Sequence, residues 1–400
     1  MKTKLIVQKY GGATLSDPGK IKQVAKRIAE EASQGTRVVA VVSAMGKTTN
    51  QLIELAAQVS THPNRREMDM LLTTGERISM ALVSMALNDL GCKAISFTGS
   101  QAGILTDDSH INAFILDVKA FRVDEALLHN KVVVLAGFQG VSPTTKEITT
   151  LGRGGSDTTA VAMAAYLKAD RCEILKDVEA VCTSDPKIVS GTKTLSELNY
   201  DQLCEMTFWG AKVLHYRSAE LAKRMRVPLY VGPAATTGQG TIIGERTSIM
   251  YEASKILALN SHERILCLDF ATANTSQAWT ELKNFIDKNE LGFPQVLLSE
   301  KTEQGVRLYL AGPSEILTTL QAEIQKSKQL QFAKEDLASV TVTCAGSTSP
   351  AIMEKILATL QLAGIDVFNT IMSPLSNTVL IRASERQRTL QELHRLIDPS

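Results

Sequence analysis

Aromatic residues are scarce in this 400-residue chain, and neither sign of charge is in excess. Phe, Trp and Tyr make up 5% of the residues, and 43 Lys and Arg balance 42 Asp and Glu to a formal net charge of +1. Nucleic-acid-binding proteins usually carry a basic stripe with interleaved aromatic residues, and no such stripe occurs here. We therefore expect no nucleic-acid partner.

Cysteine is also scarce, and the six cysteines form no Cys-x-x-Cys pair and have no histidine at metal-site spacing. We expect reduced thiols and predict no metal site. The first residues lead directly into a strand-like segment without an apolar signal core, and no apolar run approaches the ~20 residues of a membrane helix. The sequence therefore predicts a cytoplasmic protein without a membrane partner.

The most informative segment, Thr150–Asp157, reads TLGRGGSD, and we call it the anion loop. Gly152, Gly154 and Gly155 permit positive φ and close backbone approach, and Ser156 is suited to cap a following helix. The N–H groups of the first helical turn would then face the loop. This arrangement predicts a site for a phosphate or a carboxylate.

Two charged residues of the anion loop allow both a functional and a structural interpretation. Arg153 offers a planar fork for a carboxylate or phosphate, but it also fits a solvated surface arginine. Asp157 places a negative charge where the helix dipole favours it, which needs no ligand. Apolar residues at i, i+3, i+4 and i+7 from Ala160 to Leu167 predict a helix with one buried face.

A second glycine motif follows the first apolar segment, Leu5–Thr14, which reads LIVQKYGGAT. Lys9 would lie at the carboxyl end of a buried strand, where open α/β sheets bind their ligands. With the N–H groups around Gly11 and Gly12, this lysine could hold phosphoryl oxygens. Alone the motif is weak, because a turn with an exposed lysine has the same pattern.

Two common phosphate-binding motifs are excluded. The segment Ser43–Thr49, SAMGKTT, looks like the end of a Walker A loop, but the first glycine of that motif would fall on Val41. No Gly-x-Gly-x-x-Gly follows the first strand, which excludes the dinucleotide-binding fingerprint. The glycine loops therefore belong to another phosphate-binding architecture.

Strand-like and helix-like segments alternate over residues 1–232, which is typical of a parallel sheet covered by helices. Asp17 as cap, Pro18 at the first position and Gly35 after the end delimit one helix. Two more helices are predicted over residues 65–90 and 211–226, and strands over 37–43, 93–98, 131–138, 172–176 and 227–231.

The Gly-, Thr- and Ala-rich sequence after residue 232 predicts a linker, which we take to cover residues 233–254. Over residues 255–400 a strand–helix–strand–strand–helix order occurs twice, about 75 residues apart. We predict two ferredoxin-like units in tandem. Such units after an enzyme domain are usually interaction or ligand-sensing modules, although a fold alone does not establish this.

Six motifs in order through residues 1–232 resemble those of the aspartate kinases of the amino-acid kinase superfamily. They are KYGG from Lys9, VVSAMG from Val41, TTGER from Thr73, SFTGSQAG from Ser96, AGFQG from Ala136 and the anion loop. The tandem units of residues 255–400 resemble the paired ACT regulatory domains of that family. The resemblance implies an α/β fold, an amino-acid-kinase-type sandwich with a mainly parallel central sheet, followed by two ferredoxin-like (ACT) α+β units.

The resemblance also implies a reaction, in which ATP phosphorylates the side-chain carboxylate of L-aspartate to give 4-phospho-L-aspartate. This step leads toward diaminopimelate, lysine, threonine and methionine. A carboxylate acceptor is already ionised at neutral pH and needs no general base, so the obstacle is repulsion between two anions. Lysine, Mg²⁺ and backbone N–H donors would neutralise the transferring group.

By the same resemblance, Lys9 is the catalytic lysine and Asp157 organises it. The substrate-binding residues that it implies are Glu76, Arg153, Gly154, Gly155 and Ser156. The nucleotide-binding residues that it implies are Lys9, Tyr10, Gly11, Gly12, Ser43, Lys176, Asp177, Asp185 and Lys212. Without the family, Glu76 would be interpreted as a solvated helix residue, and Lys212 in the first turn of its helix would be misplaced unless an anion lay there.

The chain departs from the family where the nucleotide is expected. The family usually reads Thr/Ser-Asp-Val-Asp-Gly-Val-Tyr-Thr-x-Asp-Pro-Arg, whereas Lys176–Lys187 reads KDVEAVCTSDPK. Ala180 replaces a glycine, Cys182 an aromatic residue and Lys187 an arginine, which weakens backbone approach, ring packing and bidentate phosphate contact. Ala13 also replaces a hydroxyl residue. Two alternatives stay open: a non-catalytic or weakly active regulatory homologue, and a kinase of another small carboxylate.

The predicted regulatory units also depart from the family. Ala271–Thr275 stands where the first unit usually has an Asp-Lys-Pro-Gly-like turn, and Ser373–Asn377 stands where the second usually has Ser-Glu-Ile. We therefore predict weak or absent feedback by lysine and threonine. Because ACT units of this family generally pair across chains, we expect a homo-oligomer formed through these units.

Overall fold

A computed structural model describes residues 3–234, 238, 240–245, 255–289, 291–327, 331–332 and 336–397. These residues form two compact units. The first unit holds the described residues up to Val181, then Thr194–Thr207 and the described residues from Lys212 to 245. The second holds Cys182–Lys193, Phe208–Ala211 and the described residues from 255 onward. Two short segments within residues 1–232 therefore belong to the second unit.

The first unit alternates strands and helices, as the pattern predicts. Its strands are β1 Leu5–Tyr10, β2 Arg37–Val42, β3 Ala94–Phe97, β4 Ile104–Thr106, β5 Ile115–Val118, β6 Val132–Ala136, β7 Gln139–Val141, β8 Ile148–Thr150, β9 Arg171–Lys176, β10 Glu197–Asn199, β11 Leu229–Pro233 and β12 Thr241–Gly244. Its helices are α1 Pro18–Ser33, α2 Thr48–Val59, α3 Arg65–Asp89, α4 Phe121–Leu128, α5 Gly155–Leu167, α6 Tyr200–Phe208 and α7 Tyr216–Met225, with a short 3₁₀ turn at Gly12–Leu15.

The described strands of the first unit form an eight-stranded sheet in the order β10-β12-β11-β9-β1-β2-β6-β3. Its pairs are parallel except for β11 with β12. Strands β1, β2 and β6 read LIVQKY, RVVAVV and VVVLA and are almost entirely buried. Such continuous apolar runs are typical of parallel strands covered on both faces. A separate four-stranded sheet has the order β5-β4-β7-β8.

Helix α1 confirms the prediction from its end signals. The Asp17 side chain accepts a hydrogen bond from the Lys20 N–H, and Pro18 occupies the first helical position. Four apolar residues at i, i+3, i+4 and i+7 form its buried stripe: Ile21, Val24, Ala25 and Ile28. Local capping and apolar periodicity therefore suffice to define this element.

Helix α5 begins at Gly155 and is preceded by Gly154 in the left-handed conformation, φ +68°. The prediction that Ser156 caps this helix is wrong, because Ser156 lies inside the first turn. Gly154, in the left-handed conformation, occupies the position before the helix, so the helix begins one residue before Ser156. Asp157 lies in the first turn, as predicted. The helix is buried on all sides from Gly155 to Ala164, rather than on one face.

The helix predicted over residues 211–226 begins only at Tyr216, so the placement of Lys212 in its first turn is wrong. The Lys176 ammonium group donates to the carbonyls of Lys212 and Val213. In a helix, those carbonyls would accept hydrogen bonds from the next turn. The Lys176 side chain, from β9, therefore takes the carbonyls that the first turn of the predicted helix would use.

Strand β12 lies within the segment predicted as a linker. It pairs antiparallel with β11 and parallel with β10, so it belongs to the sheet of the first unit. The Thr241 hydroxyl accepts a hydrogen bond from the Val181 N–H and donates to the Leu195 carbonyl. Residues 235–237, 239 and 246–254 of the predicted linker lie outside the described residues.

The second unit contains the predicted repeat of strand, helix, two strands and helix. Its strands are β13 Ile256–Phe270, β14 Gln295–Thr302, β15 Gly305–Ala311, β16 Gln331–Phe332, β17 Leu337–Cys344, β18 Asn369–Met372 and β19 Ser376–Arg382. Its helices are α8 Thr275–Lys288, α9 Ser314–Ser327, α10 Pro350–Leu362 and α11 Arg386–His394, with a 3₁₀ turn at Ala383–Glu385. The main path of its sheet is β14-β15-β13-β17-β19-β18, all antiparallel, so the two repeats share one sheet through β13 and β17.

The segment Cys182–Lys193 belongs to the second unit because its side chains pack there. Val189 is buried in the apolar core of the second repeat. The Thr183 carbonyl accepts a hydrogen bond from Leu259 N–H, and its hydroxyl lies 3.0 Å from His394 Nε2. These contacts come from distant parts of the chain, so sequence alternation alone does not reveal them.

Candidate active site

A buried ion pair joins the carboxyl end of β1 to the first turn of α5. Lys9 Nζ lies 2.7 Å from Asp157 Oδ1, and the two side chains are 9% and 7% exposed. Burial opposes ionisation of Asp157, but attraction to Lys9 and then to Lys176 outweighs it and lowers the pKa of Asp157. The aspartate therefore stays ionised and fixes the Lys9 ammonium group at the edge of the sheet.

The glycine pair after β1 contacts the loop after β2. The Ser43 N–H donates to the Tyr10 carbonyl at 3.1 Å, and the Gly46 N–H donates to the Gly12 carbonyl at 3.0 Å. A Cβ on Gly12 would lie 2.8 Å from the Ala44 carbonyl oxygen, so this close approach requires glycine. The two loops thus form a surface of main-chain atoms beside Lys9.

Tyr10 contributes only its backbone to this surface. Its side chain is fully buried, and its hydroxyl donates to Gln8 Oε1 at 3.0 Å. Burial raises the pKa of the Tyr10 hydroxyl. Its ring therefore packs in the core of the first unit, and a ligand at the sheet edge can meet only its backbone.

Glu76 on α3 is buried, at 4% exposure, so its interpretation as a solvated helix residue is wrong. One carboxylate oxygen accepts the Ala44 N–H at 3.2 Å, and the other is buried without a hydrogen-bond partner among the described residues. Burial raises the pKa of Glu76 to about 7, although Lys9 opposes the shift. An unpartnered buried oxygen of this kind suits a cationic or N–H-bearing ligand.

The anion loop is held by close backbone packing. A Cβ on Gly154 would lie 2.2 Å from the Cβ of His215, and one on Gly155 would lie 2.8 Å from the Cβ of Leu151. Ser156 is buried. The glycines therefore allow the loop to lie directly against its neighbours, while Arg153 at its tip is exposed.

Lys176 ends β9, the strand beside β1, and is partly buried. Its ammonium group donates to the Lys212 carbonyl at 3.1 Å and to the Val213 carbonyl. Burial lowers the pKa of Lys176, although Asp157 opposes the shift. The Lys212 side chain and Asp177 are exposed. This side of the site is therefore built on loops that follow the strands.

Asp185 lies in the second unit. Its carboxylate accepts a hydrogen bond from the Lys187 N–H at 2.9 Å, and its carbonyl accepts from Ile188 at 3.0 Å. These contacts give Asp185 a role in a local turn. The other predicted site residues lie in the first unit, namely Lys9, Tyr10, Gly11, Gly12, Ser43, Glu76, Arg153, Gly154, Gly155, Ser156, Asp157, Lys176, Asp177 and Lys212.

Three polar residues that sequence reasoning missed contact the anion loop. Asp69 accepts a hydrogen bond from the Thr150 hydroxyl at 2.5 Å. Arg217 donates to the Leu151 carbonyl at 2.9 Å. The His215 backbone N–H donates to the Asp157 carboxylate. The signal available for Asp69 was its position two helical turns before Glu76 on the same face of α3, at i and i+7.

Helix α3 is, within the described residues, the one helix long and apolar enough to cross a membrane by length and composition alone. Nine of its residues are buried in the first unit, Asp69 and Glu76 among them. A core helix passes the same test, so this finding is weak support for a membrane span. Within the described ranges no group of three or more His, Cys, Asp or Glu could hold a metal ion.

Comparison with known proteins identifies relatives across the chain. Residues 4–233 match the model of the amino acid kinase family. The chain is 38% identical over 403 residues to the aspartokinase of Bacillus sp. (strain MGA3), covering 99% of this chain and 98% of that protein. It is 40% identical over 407 residues to the aspartokinase of Mycolicibacterium smegmatis, covering 98% and 95%.

Solved structures resemble the chain as well. Escherichia coli aspartokinase III in complex with aspartate and ADP, in its R-state, gives a TM-score of 0.78 at 22% identity, with 98% of this chain and 100% of that chain covered. At this identity the likeness concerns the fold. Aspartate kinase from Synechocystis gives a TM-score of 0.56 at 32% identity, with 98% and 69% covered.

Proposed function

The chain belongs to the amino acid kinase family and is an aspartate kinase, and from this premise we propose that Lys9 and Asp157 are its catalytic pair. The enzyme is an ATP-dependent phosphotransferase whose acceptor is the side-chain carboxylate of L-aspartate. The buried 2.7 Å contact between Lys9 and Asp157 is the observation that carries the proposal. Its product would feed the pathway to diaminopimelate, lysine, threonine and methionine.

Charge neutralisation is the chemical task that this pair performs. An oxygen of the aspartate carboxylate attacks the γ-phosphorus of ATP while the bond from that phosphorus to the bridging oxygen of ADP breaks, and no proton transfer is needed. Lys9 stabilises the charge on the transferring oxygens, and Asp157 holds the ammonium group in place. The backbone N–H groups at Gly11, Gly12 and the first turn of α5 would add neutral donors.

The acceptor would be held between the anion loop and α3. Arg153, with Gly154, Gly155 and Ser156, would bind a carboxylate of aspartate. Glu76 would meet its ammonium group, and the buried, unpartnered oxygen of Glu76 supports this role. The two charged groups of the substrate would thus be recognised by opposite charges.

The nucleotide would lie toward β9 and the loops beside it. Lys176 supports this placement through its position at the end of the strand next to β1. We assign the remaining nucleotide contacts in the first unit to Ser43, Tyr10 through its backbone, Asp177 and Lys212. These residues follow strands or lie in loops, the usual location for ligand contacts in α/β folds.

Magnesium would be carried by ATP rather than by a dedicated protein site. Mg²⁺ usually keeps several waters and binds one or two carboxylates plus substrate phosphates. The donor set fits this mode, because the described residues hold no cluster of three acidic or histidine ligands and Asp157 is engaged by Lys9. Bound with ATP, the ion supplies further charge neutralisation at the phosphates.

Three broader properties complete the proposal. The enzyme would be a homo-oligomer formed through its second unit, whose sheet ends in the edge strands β14 and β18. It would be cytoplasmic, which agrees with six free cysteines. Feedback by lysine and threonine would be weak or absent, because of the altered turns at Ala271–Thr275 and Ser373–Asn377.

The decisive experiment traps the acyl phosphate with hydroxylamine. Wild-type protein with ATP, Mg²⁺ and aspartate should form aspartyl hydroxamate, and Lys9→Met should reduce the rate by about a hundredfold or more. Lys223→Met is the matched control, because Lys223 pairs with Asp201 in an ion pair more than half exposed. Undiminished product from Lys9→Met would refute the catalytic pair.

The same assay separates the alternative functions. No hydroxamate from the wild-type protein with any acceptor would favour a non-catalytic regulatory homologue, as the changes at Ala180, Cys182 and Lys187 suggest. Faster product formation with another small carboxylate than with aspartate would make the chain a kinase of that acceptor.

A further inference from the structure

A strained residue lies directly against the anion loop. Ile111 has φ +69°, which is rare for a β-branched residue and carries a conformational cost. Its carbonyl oxygen lies 3.1 Å from the position that a Cβ on Gly152 would take. Strain of this kind persists only where surrounding contacts hold it. The contacts that hold this segment, residues 110–113, therefore bear on the geometry of the loop.

Asp69 holds the segment from the side of α3. The Ile111 N–H donates to Asp69 Oδ1 at 3.0 Å, and His110 Nδ1 lies 2.6 Å from Oδ2. The Thr150 hydroxyl donates to Oδ1 at 2.5 Å, so the same carboxylate binds the last residue of β8. Asp69 is fully buried, and burial raises its pKa although these hydrogen bonds oppose the shift. A single carboxylate thus joins the strained segment to the start of the anion loop.

Arg217 holds the same two chain segments from the side of α7. Its guanidinium group donates to Asn112 Oδ1 at 2.9 Å, to the Ala113 carbonyl at 2.8 Å and to the Leu151 carbonyl at 2.9 Å. It also lies 4.2 Å from the centroid of the Phe114 ring. Each of these acceptors is neutral. A planar fork with several donors is the group that can bind three such oxygens at once.

Burying the Asp69 carboxylate and the Arg217 guanidinium group costs desolvation free energy. Burial lowers the pKa of Arg217, although Asp107 opposes the shift, and its hydrogen bonds within the described part of the chain go to neutral oxygens. A neutral, apolar pair could fill the same space with less desolvation. The backbone between the two groups is also tied across the segments, because the Ala113 N–H donates to the Thr150 carbonyl at 2.9 Å. What the arrangement gains is a fixed backbone immediately before Gly152 and Arg153.

We propose that Asp69 and Arg217 are positioning residues for the acceptor, which clamp residues 110–113 and the Thr150–Leu151 backbone between α3 and α7 and so fix Arg153 for the aspartate carboxylate. The inference rests on the proposed role of Arg153 in binding aspartate. Fixing the loop before the ligand arrives lowers the entropy cost of binding. A misplacement of ~1 Å at such a site can reduce activity by about a hundredfold.

Three substitutions test the clamp through aspartate affinity. Asp69→Asn keeps the size of the side chain but replaces one acceptor with a donor. Arg217→Lys keeps the charge but loses the fork. Each should raise the KM for aspartate, and the dissociation constant for aspartate measured without nucleotide, by about tenfold or more, and leave the KM for ATP within about twofold. His110→Ala should act in the same direction with a smaller effect.

A conservative variant and a matched control define the mechanism. His110→Asn should restore much of the affinity lost in His110→Ala, because an amide N–H can take the place of the Nδ1 donor. Asp124→Asn is the control, since Asp124 accepts the Tyr166 hydroxyl at 2.9 Å in the same unit but, among the described residues, forms no hydrogen bond or ion pair with the anion loop. It should leave aspartate affinity unchanged.

Each outcome decides the inference. Wild-type aspartate affinity in Asp69→Asn and Arg217→Lys would overturn it, and so would an equal rise in the KM for ATP, which indicates general damage to the unit. If circular dichroism shows that Asp69→Asn is unfolded, Arg217→Lys and the two His110 variants decide alone. Wild-type protein that binds no aspartate would instead refute the proposed function, on which the inference rests.

Discussion

The acceptor side and the nucleotide side of the proposed site differ in how firmly the fold holds them. On the acceptor side Glu76 and Ser156, with the catalytic pair Lys9 and Asp157 beside them, are each less than a tenth exposed and lie on a strand or a helix, and Arg153 is the exposed exception. On the nucleotide side Asp177 and Lys212 are exposed on loops. One half of the site is therefore part of the core, whereas the other half is attached to its surface.

This difference has a consequence for substitutions. Residues held by packing and by buried ion pairs contribute to stability as well as to binding, while exposed loop residues contribute mainly to affinity. The departures from the family pattern agree with this division, because Ala180, Cys182 and Lys187 all lie in the segment expected to bind the nucleotide. The acceptor motifs TTGER and the anion loop keep the family pattern.

The largest expected effect comes from Asp157→Asn. The substitution leaves the Lys9 ammonium group buried without its anion, so we expect the free energy of unfolding to fall by about 3–5 kcal/mol. Aspartyl hydroxamate formation should fall by about a hundredfold or more, because the lysine is no longer held at the phosphates. Urea unfolding and the trapping assay measure the two effects.

The control for this prediction is Asp201→Asn. Asp201 and Lys223 form an ion pair of 2.6 Å whose side chains are 58% and 54% exposed. Solvent-exposed pairs contribute about 0–1 kcal/mol, so the control should change stability little. Equal losses in the two variants would remove the distinction between a core-built half of the site and a surface-built half.

An intermediate effect is expected from Glu76→Gln, and it depends on pH. The folded protein raises the pKa of Glu76 from 4.5 to about 7, so it favours the protonated form. The stability that this group contributes is present below pH 4.5 and is lost as the pH rises through about 7. At ~1.4 kcal/mol per pKa unit the loss reaches about 3 kcal/mol.

The measurement is the free energy of unfolding between pH 4.5 and 8. Glu76→Gln should lack this part of the decline, whereas Glu54→Gln, an exposed glutamate on α2, should follow the wild-type curve. An ammonium ligand favours the ionised carboxylate, so aspartate affinity should weaken below pH 7 in the wild type and not in Glu76→Gln. Parallel pH curves for wild type and Glu76→Gln would contradict the burial argument.

The sequence predicts much of the core-built half and less of the rest. Apolar runs and end signals identify the parallel strands and α1, because local chemistry determines both. The glycine positions of the anion loop are visible, but the role of Gly154 as cap is not, since Ser156 offers a stronger local signal. A competing cap of this kind is resolved only by tertiary packing against His215.

Long-range polar contacts account for the other misses. Before the start of α7, the Lys212 carbonyl accepts a hydrogen bond from the ammonium group of Lys176, which lies on β9, 36 residues earlier in the chain. Asp69 meets Thr150 across a separation of 81 residues, and no periodicity within either segment signals the pairing. Such hydrogen bonds arise from the topology, which a local pattern cannot specify.

The smallest expected effects lie on the nucleotide side. There, replacing either of two lysines by methionine compares a residue at the end of a strand with an exposed loop residue. Lys176→Met removes a partly buried ammonium group that binds the carbonyls of Lys212 and Val213, so it should raise the KM for ATP by about tenfold. Lys212→Met removes an exposed charge that solvent and salt screen, and it leaves the carbonyl in place. It should raise the KM for ATP by less than about threefold.

Steady-state kinetics and ADP binding at two salt concentrations measure both variants. The KM for aspartate should stay within about twofold in each, because both lysines lie on the side of the site assigned to the nucleotide. The Lys212→Met effect should vanish at high salt, whereas the Lys176→Met effect should persist, since a partly buried contact is screened less than an exposed one. A larger effect at Lys212 than at Lys176 would mean that the exposed loop, rather than the end of β9, holds the nucleotide. The two halves of the site would then differ in burial but not in how strongly they bind their ligands.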